Sequence, residues 1–169
     1  VERAADVPGV RIVGSVLDVL VAREDPLAVL RRLADPATTI VSLTITEKGY
    51  GHDPASGRLV ETHPDIRYDL EHPDAPRSAV GFLVRALNMR RVAGLAPFTV
   101  VCCDNLPHNG ALLRGLVCDF ASLRDDRIAN WIERHGAFPS TMVDRIVPAT
   151  TDEAIDEAGR LGDTIAAHL

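Results

Sequence analysis

The sequence predicts an α/β domain built on a mostly parallel, doubly wound sheet with helices on both faces. Three observations predict it. Apolar β-branched runs alternate with helix-periodic stretches in the order β-α-β-loop-α-β-α-β-α. Residues 38–46 (TTIVSLTIT) carry β-branched residues on both alternating faces, as in a parallel strand covered twice, and 97–103 (PFTVVCC) are a second, near-continuous apolar run. Polar clusters follow these strands directly, where open α/β sheets bind their ligands.

Each element has a local reason. Residues 10–13 and 16–21 are β-branched runs around Gly14 and read as strand. Asp25 and Pro26 then open a helix as N-cap and first-turn proline, with Leu27, Leu30 and Leu33 on one face. Residues 49–76 are rich in Gly, Pro, Asp and His and lack periodicity. They read as a long irregular loop with a small hairpin around 58–61, suited to a lid or a plain surface insertion. Ser78 caps the next helix, whose stripe is Val80, Leu83, Val84 and Leu87, and Gly94 stops it. After the second strand and the turn 104–110 (DNLPHNG), Asn109 caps a single long helix. Its core positions are Leu112, Leu116, Phe120, Leu123 and Trp131, and Gly136 closes it. Residues 141–147 form another strand. Thr151 or Asp152 caps a last helix carrying Ile155, Leu161 and Ile165.

Composition narrows the function classes. A chain of 169 residues can bury a proper core, and with only 4% aromatics Leu, Val, Ile and Ala must fill it. The net charge of −6 argues against a nucleic-acid footprint and against an anionic membrane. Lys48 is the only lysine among 18 Lys and Arg residues, so one amine base is on offer. Cys102, Cys103 and Cys118 have no framework spacing, which suggests reduced thiols and a cytoplasmic setting. His52, His63 and His72 stand too far apart for a usual metal set, so no metal is expected. No run is long and apolar enough to cross a bilayer. No G-x-G-x-x-G phosphate cradle is present. The first residue is Val, which suggests an excised or truncated chain or a processed one.

Three strand ends collect the candidate chemistry: 44–50 (TITEKGY), Asp104–Asn105 with the LPHNG turn, and Val143–Asp144 with Arg145. Asn105 suits a ligand-facing amide and equally a turn, because Asx side chains bond nearby backbone. Asp144 suits a site or, equally, a structural partner for Arg145 or a helix N-terminus.

The segments TITEKGY, PFTVVCCDNLPHNG and WIERHGAFPSTMVDRIVPAT (131–150) resemble the polyol-specific long-chain dehydrogenases, a family with mannitol 2-dehydrogenases and fructuronate (mannonate) reductases. The resemblance runs in order through nearly the whole chain. It implies a Rossmann-like fold and a metal-independent oxidoreductase that moves a hydride between NAD or NADP and a small-molecule polyol or sugar acid. It implies that residues 1–169 are the later, incomplete part of an N-terminal cofactor-binding domain. The phosphate loop would lie upstream of Val1, and the helical substrate domain with the lysine base beyond Leu169, so this segment alone would be inactive. Asn105 would hold the reacting oxygen as catalytic and substrate-binding residue. Thr44, Thr46, Glu47, Val143 and Asp144 would line the cofactor, with Asp144 also facing substrate. The position after the glutamate, often Gly in the family, is Lys48 here; it reads as a solvated surface residue ahead of a cation that alters the loop or attracts a carboxylate. No nucleic acid or membrane partner is implied, and a monomer or weak oligomer is expected. The competing reading is a non-catalytic α/β binding module or inactive fragment, motivated by the missing phosphate loop.

Overall fold

A computed structural model describes residues 14–143 and 150–166. The chain divides into two compact units, Leu20–Asp144 and the two terminal stretches Val1–Val19 with Arg145–Leu169.

The larger unit begins with α1 (Pro26–Ala34), where the Asp25 carboxylate accepts the Ala28 N–H at 2.8 Å and Pro26 stands in the first turn. The expected leucine face is real but narrower: Leu30 is fully buried, Leu33 half-buried and Leu27 exposed. Strands β1 (Ile40–Leu43) and β2 (Thr99–Cys102) pair in parallel, with Ile40 opposite Thr99 and Leu43 opposite Cys102. Both are shorter than the apolar runs that announce them. On β2, the N–H groups of Thr99 and Cys103 go to Thr39 and Leu43, while that of Val100 goes to Ala137 at 2.9 Å. Successive strand N–H groups point to opposite edges, so the 137 segment lies on the far side of β2 from β1. Val41, Leu43, Val100 and Cys102 share the core face. The expectation that β1 is buried on both faces fails at its other face, where Ile40 is 64% exposed.

Two helices dominate the core. In α3 (Ala79–Val92) the Ser78 hydroxyl accepts the Gly81 N–H, and Gly94 at φ +70° follows the last turn. Its stripe Val80, Leu83, Val84 and Leu87 is buried as predicted. The single long helix expected from Asn109 is instead two, α4 (Asn109–Arg124) and α5 (Asp126–His135). Asp125 takes an extended conformation, ends α4 and caps α5 by accepting the Arg127 N–H at 2.9 Å. Leu113, Leu116, Val117 and Phe120 fill the core, while Leu112 is half-buried and Leu123 is exposed. Trp131 is half-buried against the core and Gly136 caps α5.

The segment 49–76 is more ordered than a long irregular loop. A single antiparallel bridge joins His52 and Leu59 across a turn with Gly57 at φ +67°, close to the expected hairpin. A helix, α2 (Pro64–Glu71), follows, with Pro64 in its first turn and the His63 ring accepting the Asp65 N–H. Its buried residues are Ile66 and Asp69, so apolar periodicity could not reveal it. The Asp69 carboxylate accepts the N–H groups of Arg77 and Ser78 and the Ser78 hydroxyl at 2.6–2.9 Å, fixing the approach to α3. Burial, partly offset by those donors, still raises the Asp69 pKa above its ordinary value. Arg90, 4% exposed, donates to the carbonyls of Ala96, Asp35 and Thr38 at 2.6–3.1 Å. The guanidinium thus serves the chain leaving α1, where helix-end carbonyls favour a cation.

In the smaller unit, residues 16–19 are not strand; Val16, Leu17 and Val19 are 69–93% exposed. Leu20 and Val21, the end of the same expected run, are not strand either. β-branched residues favour a strand through cross-strand packing, and among the described residues no strand or β-bridge pairs with this run. Residues 10–13 lie outside the described residues. Helix α6 (Asp152–Ala166) has Thr151 as its cap, accepting the Ala154 N–H at 3.2 Å. Among the described residues no helix is long and apolar enough to cross a membrane.

Candidate functional site at the strand ends

Because β1 and β2 are parallel and in register to Leu43 and Cys102, the segments after them leave the same end of the sheet side by side. Thr44 and Thr46 are exposed in the first segment, and Glu47 opens a 3-10 turn (Glu47–Tyr50). Lys48, in that turn, is exposed. Asn105 is exposed three residues past the end of β2, and His108 beside it is also exposed. Of the third expected strand, residues 141–143 are irregular and 144–147 lie outside the described residues; a single parallel bridge joins Ala137 to Thr99 just before it. Val143 is half-buried, and Asp144 lies outside the described residues.

The residues that organise this end fall in the segments the sequence singled out, but Tyr50 and Asn109 were given no role there. Tyr50 is 1% exposed, and its phenol donates to an Asp104 carboxylate oxygen. The other Asp104 oxygen accepts the Leu106 N–H at 3.1 Å and the Asn109 amide at 3.0 Å. Asn109 is not the cap of α4. His108, at φ +53°, holds that position, and Asn109 is the first helical residue with its side chain buried. Its amide also donates to the Thr141 carbonyl at 3.1 Å, and its oxygen accepts the Thr141 N–H at 3.0 Å. The Thr141 hydroxyl donates to the Cys102 carbonyl. Thr141 is thereby fastened to the end of β2 without a regular ladder, two residues before Val143. The one signal in the sequence was the Asp before Asn105, a carboxylate at the mouth of a buried strand.

Burial, reinforced by the hydrogen bond to Asp104, holds the Tyr50 phenol well above its usual value of 10.0. Burial also pushes up the thiols of Cys102 and Cys118. A group whose folded value is raised contributes stability that is whole below its unfolded value. Above about pH 10 the unfolded chain ionises and the buried phenol does not, so this contribution drains away. The urea midpoint should therefore fall between about pH 9 and pH 11 more steeply in the wild-type chain than in Tyr50→Phe. Parallel pH profiles would contradict a buried neutral phenol.

Exposed hydroxyls at Thr44 and Thr46 and an exposed amide at Asn105 provide both donors and acceptors on one rim. Among the described residues no group of three or more His, Cys, Asp or Glu could hold a metal ion.

Parallel β1–β2 pairing, helical cover and polar strand ends define a Rossmann-type α/β domain. Residues 1–163 match the family model of the mannitol dehydrogenase Rossmann domain, and the chain belongs to that family. It is 47% identical over 163 residues to D-mannonate oxidoreductase of Escherichia coli, covering 95% of this chain and 34% of the relative. It is 45% identical over 159 residues to mannitol 2-dehydrogenase of Pyricularia oryzae, covering 93% and 32%. Among solved structures it is similar to Pseudomonas fluorescens mannitol 2-dehydrogenase in ternary complex with NAD and D-mannitol. The TM-score there is 0.81 at 43% identity, over 88% of this chain and 30% of that one. The chain spans about a third of the length of the curated relatives it matches.

Proposed function

We propose that this chain supplies one wall of the active-site cleft of an NAD(P)-dependent polyol or sugar-acid oxidoreductase, as the later part of its cofactor-binding domain. The observation that carries the reading is the delivery of Thr44, Thr46 and Asn105, all exposed, to one end of the parallel strand pair. Family membership supplies the reaction class. Relatives named for mannitol and mannonate point to a secondary alcohol as the group oxidised.

When bound, the nicotinamide supplies the acceptor for the hydride leaving the alcohol carbon. The hydroxyl proton goes to a base, and the carbon becomes a ketone. In this reading the Asn105 amide donates to the reacting oxygen and stabilises the charge that grows there. Thr44 and Thr46 hold the carboxamide. Glu47 stands at the start of the neighbouring turn on a proton path, and Val143 and Asp144 line the cleft. The base is a lysine outside this chain, as the resemblance implies. The unpaired thiols fit a reducing, cytoplasmic setting.

The experiment is cofactor absorbance in the complete enzyme containing this chain. The panel is mannitol, fructose, mannonate and fructuronate, each with the appropriate oxidised or reduced form of NAD and NADP. Turnover with at least one pair is expected, and it should survive exhaustive chelation of metals. Cofactor binding without turnover on any polyol, ketose or hexuronate would replace this reading with a non-catalytic binding module.

A further inference from the structure

The contact between Tyr50 and Asp104 is not used by the chemistry proposed above. A turn at 104–106 needs only the bond from the Leu106 N–H to the Asp104 carboxylate. Here the same carboxylate also takes a phenol from a residue 54 positions earlier and an amide from the buried start of α4. Phenylalanine would fill the Tyr50 site without burying a hydroxyl that must be paired. The hydroxyl therefore has work beyond packing. Asn105 sits between two residues whose polar groups are held, Asp104 by three donors and Leu106 by its N–H, while its own side chain is exposed.

We propose that Asp104, clamped by Tyr50 and Asn109, is the positioning residue that fixes the direction of the Asn105 amide and ties the 47–50 turn to the 104–108 turn. The inference rests on the reading of Asn105 as the oxygen-binding amide. Tyr50 closes the turn that Glu47 opens, so the two walls of the proposed cleft are joined through one hydrogen bond. The clamp is polar and within reach of solvent at Asp104, which is half-buried. Loss of the phenol should loosen the amide before it unfolds the domain.

The test uses the complete enzyme and the variants Tyr50→Phe, Asp104→Asn and Asn105→Ala. Tyr50→Phe should lower kcat about tenfold to a hundredfold, as expected when a reacting group is misplaced. The KM for cofactor should stay within about twofold. With substrate deuterated at the reacting carbon, the isotope effect on kcat should rise as hydride transfer becomes slower. Asp104→Asn should move the same quantities in the same direction, which covers the case in which Tyr50→Phe folds poorly. A structural role alone would lower the melting temperature and leave kcat per folded molecule and the isotope effect at wild-type values, and that result overturns the proposal. If Asn105→Ala is crippled while both clamp variants keep wild-type kcat, only the positioning role falls. If Asn105→Ala itself turns over normally, the Asn105 reading falls and this inference falls with it.

Discussion

Replacing Gly110 by alanine should destabilise the chain by about 3 kcal/mol, at the upper end of what overpacking a well-filled site costs. The reason is backbone, not side chain. A Cβ on Gly110 would stand 2.6 Å from both the carbonyl carbon and the oxygen of Pro139, and would also strike the Phe138 carbonyl. No rotamer change relieves a clash with a main chain. The crossing segment is held in place on both sides: Ala137 accepts from Val100, and Thr141 is bound by the neighbouring Asn109. The first turn of α4 would have to retreat, taking Asn109 and its clamp with it. With a urea m-value of roughly 2 kcal/mol per molar, the midpoint should drop by about 1.5 M. Gly115, in the same helix, has nothing within 4 Å of where a Cβ would stand, and it is exposed. Gly115→Ala should raise stability by up to about 1 kcal/mol through helix propensity. A midpoint for Gly110→Ala within about 0.3 M of wild type would mean that the 138–139 segment does not cross the helix as described.

That glycine shows which parts of the molecule its sequence disclosed. Helix ends were legible at Asp25, Ser78, Gly94 and Gly136 because a cap acts within three or four residues of itself. The two paired strands were legible because apolar β-branched runs announce them, though their lengths were overstated. Interactions between distant segments were not legible. Arg90 serves carbonyls 52 and 55 residues away, and Tyr50 meets Asp104 at a separation of 54. Neither leaves a periodic trace. Asn109 misled for a related reason. Its type and place suit a helix cap, but a side chain that can bind three segments at once is turned inward, and His108 takes the cap position instead. The break at Asp125 was hidden because the apolar spacing of α4 and α5 nearly joins across it. At the candidate site two of the three expected strand ends are described, and Asn105 is exposed past one of them. The clamp behind it was not.

Asn105→Ala should show the opposite profile to Gly110→Ala. Asn105 is exposed, and truncating an exposed side chain usually changes stability by no more than about 0.5 kcal/mol. The urea midpoint should therefore hold. The rate should not. An amide donor aimed at an oxygen that gains charge in the transition state is worth about 2.7–4 kcal/mol, so kcat in the complete enzyme should fall roughly a hundredfold to a thousandfold. Binding of the oxidised cofactor should be nearly unchanged, because the lost interaction strengthens only as the oxygen becomes negative. Asn105→Asp sharpens the test. It keeps the size and the turn-forming oxygen, but an ionised carboxylate donates no hydrogen bond and repels the developing charge. If Asn105 only shapes the turn, aspartate should substitute well and alanine poorly. If it holds the reacting oxygen, aspartate should be at least as damaging as alanine, and the order of the two variants distinguishes the roles even if both fold fully.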